Sequence, residues 1–513
     1  MRDATQVLQE HEILLTGANG FVGKVLLGLL ISRFPQFRRL HILVRSRPGL
    51  SARDRFFNDV LTSPALKQIA AEAGAELLQD RITIHSGDVA DPFCGLSPDT
   101  LAAMKQNVAL IVNCAGLVEF FPPVDESFRP NVDGVENVIQ VARQLDAKLL
   151  HVSTCFVCGE SQGLVEETEP IAGYYPRRKH RDDLSFHHRS EIRFIREQVR
   201  EILDSAARRG LGRSKEVNQR LIDLGRQRAA QWGWVNTYTY SKSLGEQLIV
   251  SEPGLDYAIL RPAIVEAALE FPFPGWVEGG RTAAPLVMMA LAGLRQWPLR
   301  PDFPIEVVPV DQVAASILTA AVMLANGTGP RVYQIGTADA NPVSLGQIVA
   351  WMYEEHLRQR RQGRARRWWS PPWNRGARIV EPARAKARRM RLTSRLTSLQ
   401  KLTVGLRRML AQSGLPGRRT LAMLGGKLRV LNLQLKIREQ ALELYQPFIL
   451  DNRFVFEAEN IRLASSLLSE QDRRKLPWTP ERIDWKRYWI NQEVHGIQKW
   501  VEAEATKGFS FKV

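Results

Sequence analysis

The chain has 513 residues, of which 44% are hydrophobic, and a formal net charge of +16. Such a length exceeds one ordinary core, so two or three domains are expected. Four cysteines, Cys94, Cys114, Cys155 and Cys158, are too few and too clustered for a disulfide framework and point to a reducing compartment.

The amino terminus, MRDATQVLQEHEILL, lacks the basic start, apolar core and small-residue cleavage site of a signal peptide. From residue 12 to 160, short apolar runs alternate with helical patterns: EILLT, GKVLLGLLISRF, LHILV, SARDRFFNDVLTS, ITIH, VALIVN, NVDGVENVIQVARQL and KLLHVS. This is the signature of βαβ units, and the runs lack in-out alternation because both sheet faces are covered. The fold class expected is α/β, a doubly wound parallel sheet of the Rossmann type. DYAIL at 256–260 and IEVVPV at 305–310 are expected to extend that sheet.

The first strand runs into Thr16, Gly17, Ala18, Asn19, Gly20, Phe21, Val22 and Gly23, a TGxxGxxG turn that opens a helix. Gly17 and Gly20 permit a tight turn and close approach to a pyrophosphate, and Gly23 lets the helix pack on the strand. A dinucleotide site follows from that strand-turn-helix context. Where an NAD site would place an acid after the second strand, LHILVRSR offers Arg45 and Arg47. Guanidinium groups suit a 2′-phosphate, so NADPH is the expected cofactor. Asp88 and Val89 follow the third strand, where a carboxylate can accept from the adenine amino group. Cys114, Ala115 and Gly116 close the fourth.

The CFVC at 155–158 has neither a second CxxC nor an HExxH to accompany it, so no metal site is expected. Residues 176–230 form a charged helical insertion, read as solvated helix faces. Then comes VNTYTYSKSLGEQ at 235–247. Tyr238 and Lys242, four residues apart, share a helix face, whereas Tyr240 turns away and reads as packing. A phenol normally titrates near pH 10, and a neighbouring ammonium and a cationic nicotinamide are expected to lower that value and make Tyr238 a usable acid. Ser153 and Thr154, at the end of the fifth strand, offer the hydroxyl that holds a substrate oxygen.

The longest near-continuous apolar run, AAPLVMMALAGL at 283–294, is well short of the roughly 20 residues that cross a bilayer. It reads as buried core in preference to the lining of a tunnel, and a soluble, cytoplasmic protein is expected. Beyond residue 357 the alternation ends. Residues 1–356 are expected to be the dinucleotide-binding domain and 357–513 a helical domain, with leucines at 392, 396, 399, 402, 406 and 410 at helical spacing. Between Arg358 and Arg438 lie 23 Lys and Arg against one acid, Glu381, so the basicity belongs to that segment.

TGxxGxxG, NCAG, Asn131-Val-Asp-Gly134, HVST, YxxxK and Leu260-Arg-Pro262, in this order, resemble the extended short-chain dehydrogenase/reductase superfamily. More narrowly, NTYTYSKSLGEQL, RPAIVEAALEFPFPGW, VPVDQV and the closing segment from Phe454 resemble the alcohol-forming fatty acyl-CoA reductases, particularly the bacterial ones. The resemblance makes Tyr238 the acid, Lys242 its partner and Thr154 the polarising hydroxyl, with Val157-Cys158-Gly159 favouring Thr154 over Ser153. It places Tyr238, Lys242 and Pro262 beside the cofactor. The activity implied is NADPH-dependent reduction of long-chain acyl-CoA through an aldehyde to a primary alcohol. The rivals are a reductase stopping at the aldehyde, one taking acyl-carrier-protein thioesters, a nucleotide-sugar epimerase and a non-catalytic NADPH sensor. For the basic segment, CoA phosphates and an anionic membrane met by Trp368, Trp369 and Trp373 are the leading partners, and nucleic acid the least favoured. Oligomeric state is not legible.

Overall fold

The structure, a computed structural model, describes residues 3–280, 282–363, 376–412 and 418–502. Seven strands form one parallel sheet: β1 (Glu12–Thr16), β2 (Arg39–Val44), β3 (Ile82–Ser86), β4 (Val108–Asn113), β5 (Lys148–Val152), β6 (Tyr257–Pro262) and β7 (Val332–Ile335). Their order is β7-β6-β5-β4-β1-β2-β3, the doubly wound arrangement expected, with its reversal point between β1 and β4. Register brings the carboxyl ends level: Thr16 lies opposite both Leu43 and Asn113, Asn113 opposite His151, and Val152 opposite Leu260.

The apolar runs form strands because helices bury both faces. Helix α1 (Phe21–Arg33) packs against α5 (Val310–Ala325), a helix buried from Val310 to Leu324. On the other face, Ile111, Leu149 and Ile259 share a core with Val135, Val138 and Val141 and with Leu244 and Leu248 of α4 (Thr237–Val250).

Two expectations are corrected here. IEVVPV does not join the large sheet; Val307–Pro309 pairs with Ile264–Glu266 in a separate two-stranded parallel ribbon. The sheet edge is taken by VYQI at 332–335, which keeps an N–H at every residue, whereas a proline removes a ladder donor. The insertion is likewise more than a solvated surface. Helices α2 (His188–Arg208) and α3 (Lys215–Trp232) bury Ile192, Ile195, Ile202, Val217, Leu221 and Ala229, so their charged faces are only the outer halves of packed helices.

The chain divides into two compact units that are discontinuous in sequence. The first comprises Met1–Thr282, Glu306–Pro342 and Phe454–Val501, so the closing segment belongs with the Rossmann sheet and the contact boundary does not fall at 357. Buried carboxylates make that attachment. Glu306 accepts from the Phe456 N–H at 2.7 Å, and Glu167 from the N–H groups of Gln334 and Asn460, both at 2.7 Å. Glu493 in turn accepts from the Ala267 N–H at 3.0 Å. A buried carboxylate is stable only when so paired, a long-range pairing with no local signature.

The second unit comprises Ala283–Ile305 and Val343–Arg453. It contains the helix Ala284–Leu291, which buries Ala284, Val287 and Ala290, and two long helices, α6 (Pro382–Gln412) and α7 (Arg418–Gln446). The leucine periodicity at 392–410 thus corresponds to α6. Trp368, Trp369 and Trp373 lie outside the described residues. Among those described, no helix is long and apolar enough to cross a membrane.

Candidate active site

A cleft of about 340 Å³ opens at the carboxyl edge of the sheet, where β1 and β4 part. Thr16, Gly17, Asn19, Gly20, Arg45, Asp88, Val89, Cys114, Ala115 and Gly116 line it. Gly17 has φ +74°, and a Cβ there would stand 2.6 Å from the Cys114 carbonyl carbon. At Gly23 a Cβ would meet the Gly17 oxygen at 2.1 Å. Only glycine lets the turn, the β4 end and α1 come so close. Phe21, Val22 and Gly23 form the first turn of α1, directly after the lining residue Gly20, and the amino end of a helix suits a pyrophosphate.

The floor is a chain of polar groups. Thr16 Oγ1 donates to Asn113 Oδ1 at 2.6 Å and accepts from the Ala115 N–H at 3.3 Å. Asn113 Nδ2 donates to His151 Nδ1 at 3.0 Å, which leaves the proton on Nε2. His151 is wholly buried, and desolvation, with the Lys242 charge added, holds it neutral, well below its ordinary pKa.

At the outer end, Asp88 lies between two guanidinium groups, Arg45 at 3.7 Å and Arg129 at 3.9 Å. Arg45 lines the cleft, as expected; Arg47 does not, and its guanidinium stands 4.0 Å from Asp59 on an exposed turn. The second cleft cation is Arg129, which the sequence reading passed over. Its one sequence signal is position: it directly precedes Pro130 and Asn131 of the NVDG motif.

Thr154, Tyr238 and Lys242 stand beyond the cleft's inner end, joined to it through Gly116. A Cβ on Gly116 would lie 3.2 Å from Lys242 Nζ. Helix α4 begins at an Asn236 cap, whose side chain accepts from the Thr239 N–H at 2.8 Å, and this fixes the rotation that points Tyr238 and Lys242 inward. Lys242 Nζ donates to the Val152 carbonyl at 2.8 Å, and burial lowers its pKa to about 8, with the Glu246 charge opposing. Gly245 on the same helix lets the Asn131 backbone approach, and Asn131 Nδ2 donates to the Leu117 carbonyl and to Ser241 Oγ, both at 3.0 Å.

The Thr154 hydroxyl lies beside the Tyr238 phenol and favours its ionised form. Thr154 Oγ1 also reaches the Pro262 carbonyl at the end of β6, at 3.3 Å. Ser153, the alternative hydroxyl, is buried with its Oγ unpaired in the protein and its N–H on Leu260. Within the protein alone, the surroundings of Tyr238 raise its pKa. Burial pushes the phenol up, with the neighbouring Thr154 hydroxyl opposing, while the Lys242 ammonium is turned to the Val152 carbonyl. Tyr238 is therefore held as the protonated phenol. Tyr240 is wholly buried, and its hydroxyl donates to Glu191, which is in turn paired with Arg228. It packs between Phe128 and Trp234, as its position on the helix implied.

Cys155 donates to the Arg261 carbonyl, and burial pushes Cys158 up to about 12, so both thiols of CFVC are protonated structural groups. Among the described residues no cluster of His, Cys, Asp and Glu is arranged to hold a metal ion.

The model of the NAD-binding family described as male sterility protein matches residues 15–317, which include every residue of this site. The protein named "Probable fatty acyl-CoA reductase 5" of Arabidopsis thaliana is 27% identical, covering 96% of this chain and 98% of its own length. The "Alcohol-forming fatty acyl-CoA reductase" of Simmondsia chinensis is 28% identical over 68% of this chain and 71% of its own. Both are plant proteins. Among solved structures, the reductase domain of a nonribosomal peptide synthetase from Mycobacterium tuberculosis superposes with a TM-score of 0.53 at 18% identity, covering 96% of this chain and 95% of that one. The terminal R domain of the myxalamid pathway gives 0.51 at 17% identity, covering 98% and 92%. At those identities the likeness establishes the fold. A nicotinamide dinucleotide is the cofactor that the matched family and the glycine turn specify together.

Proposed function

The chain belongs to the male sterility protein family of NAD-binding domains, and from that premise we propose that it reduces long-chain fatty acyl-CoA to the primary alcohol with NADPH. The observation that carries the reading is the buried Thr154 hydroxyl and the half-buried Tyr238 phenol beside Lys242, at the inner end of a dinucleotide cleft. The names of the full-length relatives, fatty acyl-CoA reductases, support the substrate class.

The cleft fits the cofactor: a Cβ would fill the space at Gly17, and Arg45 and Arg129 offer two guanidinium groups for a 2′-phosphate. When bound, NADPH supplies the hydride. Thr154 and Tyr238 donate to the thioester oxygen and stabilise the charge that develops on it. Tyr238, held protonated by burial, gives its proton to that oxygen. Lys242 would hold the nicotinamide ribose and, as a cation, stabilises the phenolate that Tyr238 becomes once its proton has gone. The hemithioacetal then breaks its C–S bond, releasing CoA thiol and an aldehyde. The same two hydroxyls hold the aldehyde oxygen for a second reduction to the alcohol.

The test is the number of NADPH molecules consumed per CoA thiol released with palmitoyl-CoA. A ratio near two supports alcohol formation; a ratio near one makes the aldehyde the product. No oxidation with any acyl thioester overturns the reading.

A further inference from the structure

The second unit carries a helical surface that its own packing does not use. Helices α6 and α7 form an antiparallel hairpin, as three pairings show. Lys386 lies 3.7 Å from Glu443, Asn432 Nδ2 donates to Thr397 Oγ1 at 3.2 Å, and Gly425 approaches Thr403 so closely that a Cβ would lie 3.2 Å from its Oγ1. Ala385, Leu396, Thr403 and Asn432 are buried along this seam.

Away from the seam stand large apolar side chains in water. Leu392, Leu399, Leu402, Leu406 and Met409 of α6 are 46%, 48%, 57%, 39% and 65% exposed. Their spacing of seven, three, four and three residues places them on one helix face. Met423, Val430, Leu433 and Ile437 repeat the pattern on α7, between 45% and 63% exposed. At 1.5 Å per residue the α6 stripe alone is about 25 Å long. Isolated exposed leucines need no explanation, but two periodic stripes on one hairpin mark an interaction surface.

Charge selects the occupant. From 382 to 438 the sequence has 15 Lys and Arg and no Asp or Glu. Arg384, Arg388, Arg391 and Arg395 continue the α6 stripe toward its amino end by the same helical spacing. A second copy would bring two such hairpins together at the cost of charge repulsion. An acidic protein would meet the arginines without needing two long apolar stripes. An anionic lipid surface satisfies both features: acyl chains take the Leu and Met side chains while Lys and Arg reach phosphate headgroups.

We infer that the α6–α7 hairpin docks flat on an anionic lipid surface, its apolar stripes seated at the level of the acyl chains. The contact is peripheral, since no described helix is long and apolar enough to cross. The surface stands on the hairpin alone; its purpose, access to long-chain substrate and product that partition into lipid, rests on the reductase reading.

The test is sedimentation of the full-length protein with vesicles of phosphatidylcholine, with and without phosphatidylglycerol. The expected result is binding roughly tenfold or more tighter to the anionic vesicles, weakened by salt. Both Leu399→Glu/Leu402→Glu/Leu406→Glu and Arg388→Glu/Arg391→Glu/Arg395→Glu are expected to lose that binding by roughly tenfold or more. NADPH oxidation with a short, water-soluble acyl-CoA and the circular dichroism should stay unchanged in both variants. Equal binding to neutral vesicles, no binding to anionic ones, or leucine variants that bind like the parent would overturn the inference. So would a concentration-dependent dimer that the leucine variant abolishes, which would make a second copy the occupant. If vesicles bind as expected while no acyl-CoA is reduced, the surface stands and the reductase reading fails; the reverse pair of results rejects the surface alone.

Discussion

Replacing Tyr238 by phenylalanine removes one oxygen from the candidate site and leaves the ring. In the structure that oxygen lies beside Thr154, where burial keeps it protonated. Thr154 keeps its bond to the Pro262 carbonyl at 3.3 Å, so the fold loses at most about 1 kcal/mol. The reaction loses its proton donor. General acid catalysis contributes roughly 10²- to 10⁴-fold, or about 3–5 kcal/mol at about 1.4 kcal/mol per decade. The assay is the initial rate of NADPH oxidation with palmitoyl-CoA, run beside a thermal melt. The expected outcome is a fall in kcat of at least roughly 10²-fold with little change in melting. Tyr240→Phe is the contrast: it leaves buried Glu191 without one donor, costing about 1–3 kcal/mol of stability while activity persists. A Tyr238→Phe enzyme within roughly tenfold of the parent, or a Tyr240→Phe enzyme that folds normally but has lost its activity, would refute the assignment of roles on this helix.

Gly23→Ala would press a methyl group against the Gly17 oxygen, 2.1 Å from the ideal Cβ; the turn must open, and NADPH affinity measured by fluorescence titration should fall roughly tenfold or more. Arg45→Ala/Arg129→Ala should raise KM for NADPH by roughly one to two decades and leave KM for NADH nearly unchanged, and equal losses with both cofactors would reject the 2′-phosphate assignment. Lys242 is charged below its lowered pKa of about 8 and neutral above it, so kcat/KM should decline as pH rises through that value. In Lys242→Met that alkaline limb should disappear from what activity remains.

The fold was legible because its signals are local. A continuous apolar strand followed by TGxxGxxG needs no distant partner to be read, since the glycines at 17 and 23 answer to steric contacts within one turn. The same holds for the helix carrying Tyr238 and Lys242, whose four-residue spacing fixes their shared face. Cofactor charge was half legible: Arg45 follows its strand directly, but Arg129 comes to the cleft from a separate helical segment, and only folding brings it 3.9 Å from Asp88.

By itself, then, the sequence determined the parallel sheet, the dinucleotide turn and the Tyr238 face of its helix, because each follows from residue spacing and backbone sterics within a few turns. Tertiary structure alone decided that burial holds the Tyr238 phenol protonated and that the closing segment packs with the reductase sheet. It also decided that the leucine stripe of α6 faces water. These depend on desolvation and on partners hundreds of residues away, and a helix pattern specifies an apolar face without specifying what covers it.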